Sequence, residues 1–134
     1  MYPHPEALLT QTIKMTRGIE ILYLLSKCCA ISLSEINRFL RSINSRRIAF
    51  VTFKRYAEFL SRTGVAIYLE NGNILICTEA GADIIRKAIE ILNKEISIKG
   101  YRAITERAKY RRAISLMRDI ERFDLILTAE KIIA

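Results

Sequence analysis

The residues of this chain best suited to chemistry are cations. Arg46, Arg47, Lys54, Arg55 and Arg62 fall in one stretch of helical periodicity, and Arg107, Arg111, Arg118 and Arg122 fall in a second. Guanidinium and ammonium groups repeated along a helix neutralise a row of anions, and the guanidinium fork pairs with two oxygens of a phosphate or carboxylate at once. The second set lies within about 60° of arc by the 3.6-residue period. Like charges at such spacing repel, so the arrangement persists most readily when something anionic faces it. Phosphate and the acidic side chains of a dimer mate fit that need equally well. Residues 97 to 122 together hold eight Lys and Arg against three Asp and Glu. A merely solvated face is the plain alternative for both sets.

Other chemistries find less support. The five glycines are isolated, so there is no phosphate-cradling loop, and neither a Ser/His/Asp set nor a close pair of carboxylates is visible. The chain is therefore not expected to be an enzyme. Cys28, Cys29 and Cys77 lack the paired spacing of a zinc site, and the only histidine, His4, sits between two prolines. No metal or cofactor is expected. The cysteines read as small buried hydrophobes, with an intersubunit disulfide or redox role as the alternative. No residue cluster points to a small-molecule effector.

The totals agree with a polyanionic partner. A chain of 134 residues, 51% hydrophobic, fits one domain with a short appended element. The net charge is +8 and the pI is near 9.7, which suits DNA, RNA, a ribosome or an anionic surface. The N-terminal residues lack a basic region followed by an apolar stretch, and no apolar run is long enough to span a bilayer; a cytoplasmic protein is the expectation, with no membrane partner. Abundant isoleucine, a single glutamine (Gln11) and more Arg than Lys give the composition a thermophile-like cast.

Several elements must position these cations. After Tyr2-Pro3-His4-Pro5, helical periodicity runs from about Ala7 to Cys29, with Gly18 marking a possible break between an N-terminal arm and the first core helix. Ser32-x-x-Glu35 is a capping box that opens a short helix with Ile36, Leu40 and Ile43 on one face. Ser42-Ile43-Asn44-Ser45 reads as a turn, with Asn44 or Ser45 capping a helix from about Arg46 to Thr63 that stops at Gly64. Phe50, Phe53, Tyr56, Ala57, Phe59 and Leu60 share its apolar arc; Arg47, Lys54, Arg55, Glu58, Ser61 and Arg62 share the opposite one. Two β-rich runs, 65–70 and 73–77, flank Asn71-Gly72, which predicts a hairpin with a two-residue turn. Thr78 caps a helix from Glu79 to about Ile96, broken at Ser97-Ile98-Lys99-Gly100. A final helix spans about Tyr101 to Phe123, and its apolar Leu116, Met117, Ile120 and Phe123, with Leu127 beyond, form an expected dimer seam.

In this order the chain resembles the winged-helix regulators common in archaea, of the broad MarR/PadR-like kind. The resemblance covers about residues 16 to 95. It rests on Ser32-Leu33-Ser34-Glu35-Ile36 at the opening of the first helix of the helix-turn-helix. It rests equally on Ile76-Cys77-Thr78-Glu79-Ala80-Gly81, similar to the L-T-x-x-G that closes the wing. It implies a mainly α fold with a small β-hairpin: an N-terminal arm (1–12), a winged helix-turn-helix domain (13–96) and a long basic C-terminal helix that can serve dimerisation (97–134). It implies a second helix lying in the major groove of double-stranded DNA, with Arg46, Arg47, Lys54 and Arg55 at the reading positions, and a homodimer acting in transcription regulation. The wing carries Glu70 and no Lys or Arg, and the reading arc has no Asn or Gln, so affinity is expected mainly from phosphate neutralisation. The alternative is a basic adaptor that docks on RNA polymerase or the ribosome through the same module and the C-terminal helix.

Overall fold

The computed structural model describes the backbone of residues 2–42 and 44–105 and the side chains of those through 94. Its first helix, α1 (Pro5–Lys14), starts with proline at the first position, where a missing N–H costs nothing, and carries Glu6 in its first turn and Lys14 in its last. The segment expected as an arm is this helix, and Leu8, Leu9 and Thr12 are buried on it. Met15 is extended and Arg17 is left-handed (φ 60°), so the chain turns before α2 (Gly18–Cys28); the break foreseen at Gly18 is present. Every residue of α2 from Gly18 to Leu25 is buried, including Glu20. It is the central helix, packed against α1 on one side and the last helix on another.

β1 (Ala30–Ser32) was not foreseen, because three residues are too few to show alternation. α3 (Leu33–Ser42) follows at once, and its capping box is reciprocal: the Glu35 N–H donates to Ser32 Oγ at 3.1 Å, and the Ser32 N–H donates to Glu35 Oε1 at 3.2 Å. Ile36 and Leu40 are its buried pair.

Here the structure corrects the sequence reading. Asn44 does not open the next helix; it closes α3. In the left-handed conformation (φ 57°), it donates to Arg41 O at 3.1 Å while the Ser45 N–H donates to Leu40 O at 2.7 Å, the paired bonds of a helix C-terminus. Residues 45–49 then run without regular structure, and α4 (Phe50–Arg62) begins four residues later than expected, behind Ala49, which offers no side-chain cap. Arg46 and Arg47 therefore lie before the helix and not on it. Phe53, Tyr56, Ala57 and Leu60 are buried as expected, but Phe50, in the first turn, is 49% exposed. The helix ends as expected at Gly64 (φ 77°).

β2 (Ala66–Leu69) and β3 (Ile74–Cys77) form the expected antiparallel hairpin, and β1 pairs with the other edge of β3, giving a three-stranded sheet in the order β1-β3-β2. The register sets Leu69 opposite Ile74, so the loop has four residues where two were expected. Positive φ falls on Gly72 (93°) and Asn73 (50°), not on Asn71, and the Asn73 N–H donates to Glu70 O at 3.2 Å. That is a turn with glycine in its third place followed by a left-handed asparagine, whose side chain accepts from Tyr68 Oη at 2.8 Å.

Thr78 caps α5 (Glu79–Thr105): the Gly81 N–H donates to Thr78 Oγ1 at 2.9 Å, and that hydroxyl donates to Gly64 O at 3.0 Å. A Cβ on Gly81 would sit 1.8 Å from the Val65 carbonyl oxygen, so the helix lies on the backbone entering β2 and only glycine fits. α5 runs unbroken through Ser97-Ile98-Lys99-Gly100, contrary to expectation; a single interior glycine costs only about 1 kcal/mol, too little to end a helix of this length. α5 packs on α1, α2 and β3 through Ile85, Ala88, Ile89 and Leu92. Cys28 and Cys29 are exposed and Cys77 is half-buried, so the first two are not the buried hydrophobes expected: they end α2 at the surface. Among the described residues no helix is long and apolar enough to cross a membrane.

Candidate nucleic-acid interface

Two clamps fix the segment between α3 and α4. Asn37, on α3, uses both ends of its side-chain amide on Ile48: Nδ2 donates to Ile48 O at 3.1 Å, and the Ile48 N–H donates to Oδ1 at 2.8 Å. Ile48 is thereby held in the core, 1% exposed. Arg17, between α1 and α2, pairs through Nε with the buried Glu20 and donates through Nη2 to the Arg46 carbonyl at 2.6 Å. A buried carboxylate needs such a partner, and here the partner's second arm reaches the loop.

The loop so held forms one wall of a cavity of about 580 Å3. The N-terminal turn of α3 (Leu33, Ser34) and its outer face (Asn37, Arg38, Arg41) form the floor; Ser45 and Arg47 close one side, and Gly72 and Asn73 of the hairpin tip close the other. The tip is tied to α3 by the Leu33 N–H, which donates to Asn73 O at 3.0 Å. Arg38 and Arg41 fall about 60° apart on α3, opposite Ile36 and Leu40, by the helical period. No Asp or Glu lines the cavity, and among the described residues none of its three arginines has an ion-pair partner. Three guanidiniums without an ion-pair partner among the described residues, gathered around one acid-free cavity, make a site for anions.

The cations foreseen from the sequence divide among several places. Arg47 joins the cavity. Arg46 is exposed beside it, its backbone held by Arg17. Lys54 stands on α4, 3.9 Å from Glu58 and 5.9 Å from the centre of the Phe50 ring, a loose and partly exposed pairing. Arg55 lies elsewhere, in a second cavity of about 190 Å3 with Lys14, Met15 and Thr16, and Arg62 is exposed in the last turn of α4. Arg107, Arg111, Arg118 and Arg122, like Leu116, Met117, Ile120, Phe123 and Leu127, lie outside the described residues. Arg38 and Arg41 were missed by the sequence reading, which named only the apolar face of the first helix of the pair and none of its cations. Their position off the Ile36/Leu40 face was the available signal.

Phe50 (49% exposed) and Val51 (62%) bring apolar surface to the start of α4, and Ile67 and Leu69 do the same on the edge strand β2. Among the described residues no group of three or more His, Cys, Asp or Glu side chains could hold a metal ion. Compared with known proteins, the chain matches no protein family, no curated protein and no solved structure. Function has to be argued from the geometry.

Proposed function

We propose that this chain is a winged helix-turn-helix protein that binds double-stranded DNA, as a homodimeric transcription regulator. One observation carries the proposal: the acid-free cavity in which Arg38, Arg41 and Arg47 converge between α3, the loop after it and the hairpin tip. The element order supports it, since a helix, a strand, two helices and a hairpin joined into one antiparallel sheet is the winged-helix plan. In such a module the helix-turn-helix lies along the duplex, its second helix in the major groove and its first across the backbone. The cavity is then a phosphate clamp and α4 the reading helix.

Base reading falls to Lys54, which pairs best with guanine, and to Phe50 and Val51, which suit thymine methyl groups. The absence of Asn and Gln from this face makes the reading modest and leaves most of the affinity to phosphate. Titration of a labelled duplex tests the proposal. Replacing Arg47 and Lys54 together with alanine should weaken binding at least tenfold at matched salt while leaving the melting temperature close to that of the parent, because both side chains are off the core. Unchanged affinity would exclude α4 and its leading loop as the DNA-binding face.

A basic adaptor on RNA polymerase or the ribosome is the second reading. The observation favouring it is the exposed apolar set Phe50, Val51, Ile67 and Leu69, which is more than phosphate binding requires.

A further inference from the structure

In the β1–β3 ladder, Ala30 is opposite Ile76, Ile31 opposite Leu75 and Ser32 opposite Ile74. Just before β1, Cys29 is the left-handed residue that closes α2 (φ 60°). Its carbonyl accepts from the Cys77 N–H at 2.7 Å, which brings the two cysteines together at the end of the ladder. A backbone hydrogen bond at the edge of an antiparallel ladder holds the two Cα atoms roughly 5–6 Å apart, inside the roughly 4.4–6.8 Å that a disulfide spans. The Cys77 Sγ donates to Leu25 O at 3.8 Å, in the last turn of α2, and the neighbouring Cys29 helps to raise the Cys77 thiol. Both cysteines are thiols in the structure.

We propose that Cys29 and Cys77 form a reversible intrachain disulfide, made by exchange with a small-molecule disulfide such as oxidised glutathione. The two thiols divide the work. Cys29 ends α2 at the surface, where an oxidant reaches it. Its thiolate attacks one sulfur of oxidised glutathione; the S–S bond breaks, one glutathione leaves as thiolate, and Cys29 carries the other. Cys77 then gives its proton to solvent and attacks Cys29 Sγ, releasing the second glutathione. Two electrons and two protons leave the protein, and one oxidised glutathione becomes two reduced ones. Burial, with the neighbouring Cys29, pushes the Cys77 thiol up to about 11, so this second step is the slow one and quickens as pH rises. The bond would join the end of α2 to the end of β3, closing a loop that contains α3, α4 and the hairpin, and with them every residue that lines the basic cavity. It stands or falls independently of DNA binding.

The test uses the intact chain. After incubation with oxidised glutathione, remaining thiols are alkylated and tryptic peptides are weighed without reduction. The expected product has the peptide 28–38 joined to the peptide 63–86 within one chain, separable again by dithiothreitol, with one of the three thiols still open to alkylation. Fragmentation of the joined pair should place the link on Cys29, and the Cys28→Ser variant should give the same link. The oxidised chain should also melt at a higher temperature than the reduced one, as closing a long loop requires. Alkylated Cys77 beside glutathione on Cys29, a Cys28–Cys29 bridge, or a link between two chains would each overturn the proposal.

Discussion

Tyr56 and Cys77 place titratable groups where their charged forms are poorly solvated. Burial holds the Tyr56 phenol well above its ordinary value, against the smaller opposing effect of its 2.7 Å hydrogen bond with Thr12 Oγ1. Burial raises Tyr68 too, helped by the charges of Glu70 and Glu58, and lifts Cys77 from 9.0 to about 11. In each case the folded value exceeds the unfolded one. The folded chain keeps its proton while the unfolded chain releases one, so the stability these groups contribute is complete below the unfolded value and is lost as pH climbs through the folded one. Stability to urea should therefore be flat up to about pH 9 and fall steadily toward pH 11, Cys77 first and the tyrosines after it. Urea midpoints that hold constant over that interval would contradict this account of the core. Burial at this scale was only partly legible in the sequence. Phe53, Tyr56 and Leu60 were found from their arc, while Phe50 was misassigned because its exposure depends on where the helix begins.

Helix and strand boundaries show the same dependence. The capping box and the cap at Thr78 were readable because each is a local contract between a side chain and an N–H a turn away. Asn44 was misread because Asn serves equally well as an N-cap and as a left-handed residue after a helix, and only the bonds from Ser45 and Asn44 back into α3 decide between them. The Asn71-Gly72 pair marked the hairpin but not its loop length, since the following Asn73 takes up a second positive φ. Gly81 is the element-scale test. Its Cβ position lies on the Val65 carbonyl, and backbone cannot rotate away as a side chain would. Gly81→Ala should destabilise the chain by about 1–3 kcal/mol or more, read as a lowered melting temperature with helical content retained. An unchanged melting temperature would mean that α5 does not lie against the entrance to β2.

For the whole molecule, the basic charge pointed to a polyanion before any fold was known, but not to the cavity that gathers it. Arg38 and Arg41 come from one helix and Arg47 from the loop beyond the next turn; their convergence depends on Asn37 and Arg17 holding that loop, which no local pattern announces. The apolar residues Leu116, Met117, Ile120, Phe123 and Leu127 carry the proposed dimer. Sedimentation should find the intact chain dimeric and a version ending at Thr105 monomeric, whereas two monomers would remove the dimer and strengthen the adaptor reading. The phosphate clamp is the central claim, and the salt dependence of DNA binding measures it most directly. Each phosphate neutralised contributes about 0.9 to the slope of log affinity against log salt. Replacing Arg38, Arg41 and Arg47 together with alanine should make that slope shallower by roughly 2–3 in the fully folded variant. An identical slope in parent and variant, or no duplex binding by the parent even at low salt, would contradict it.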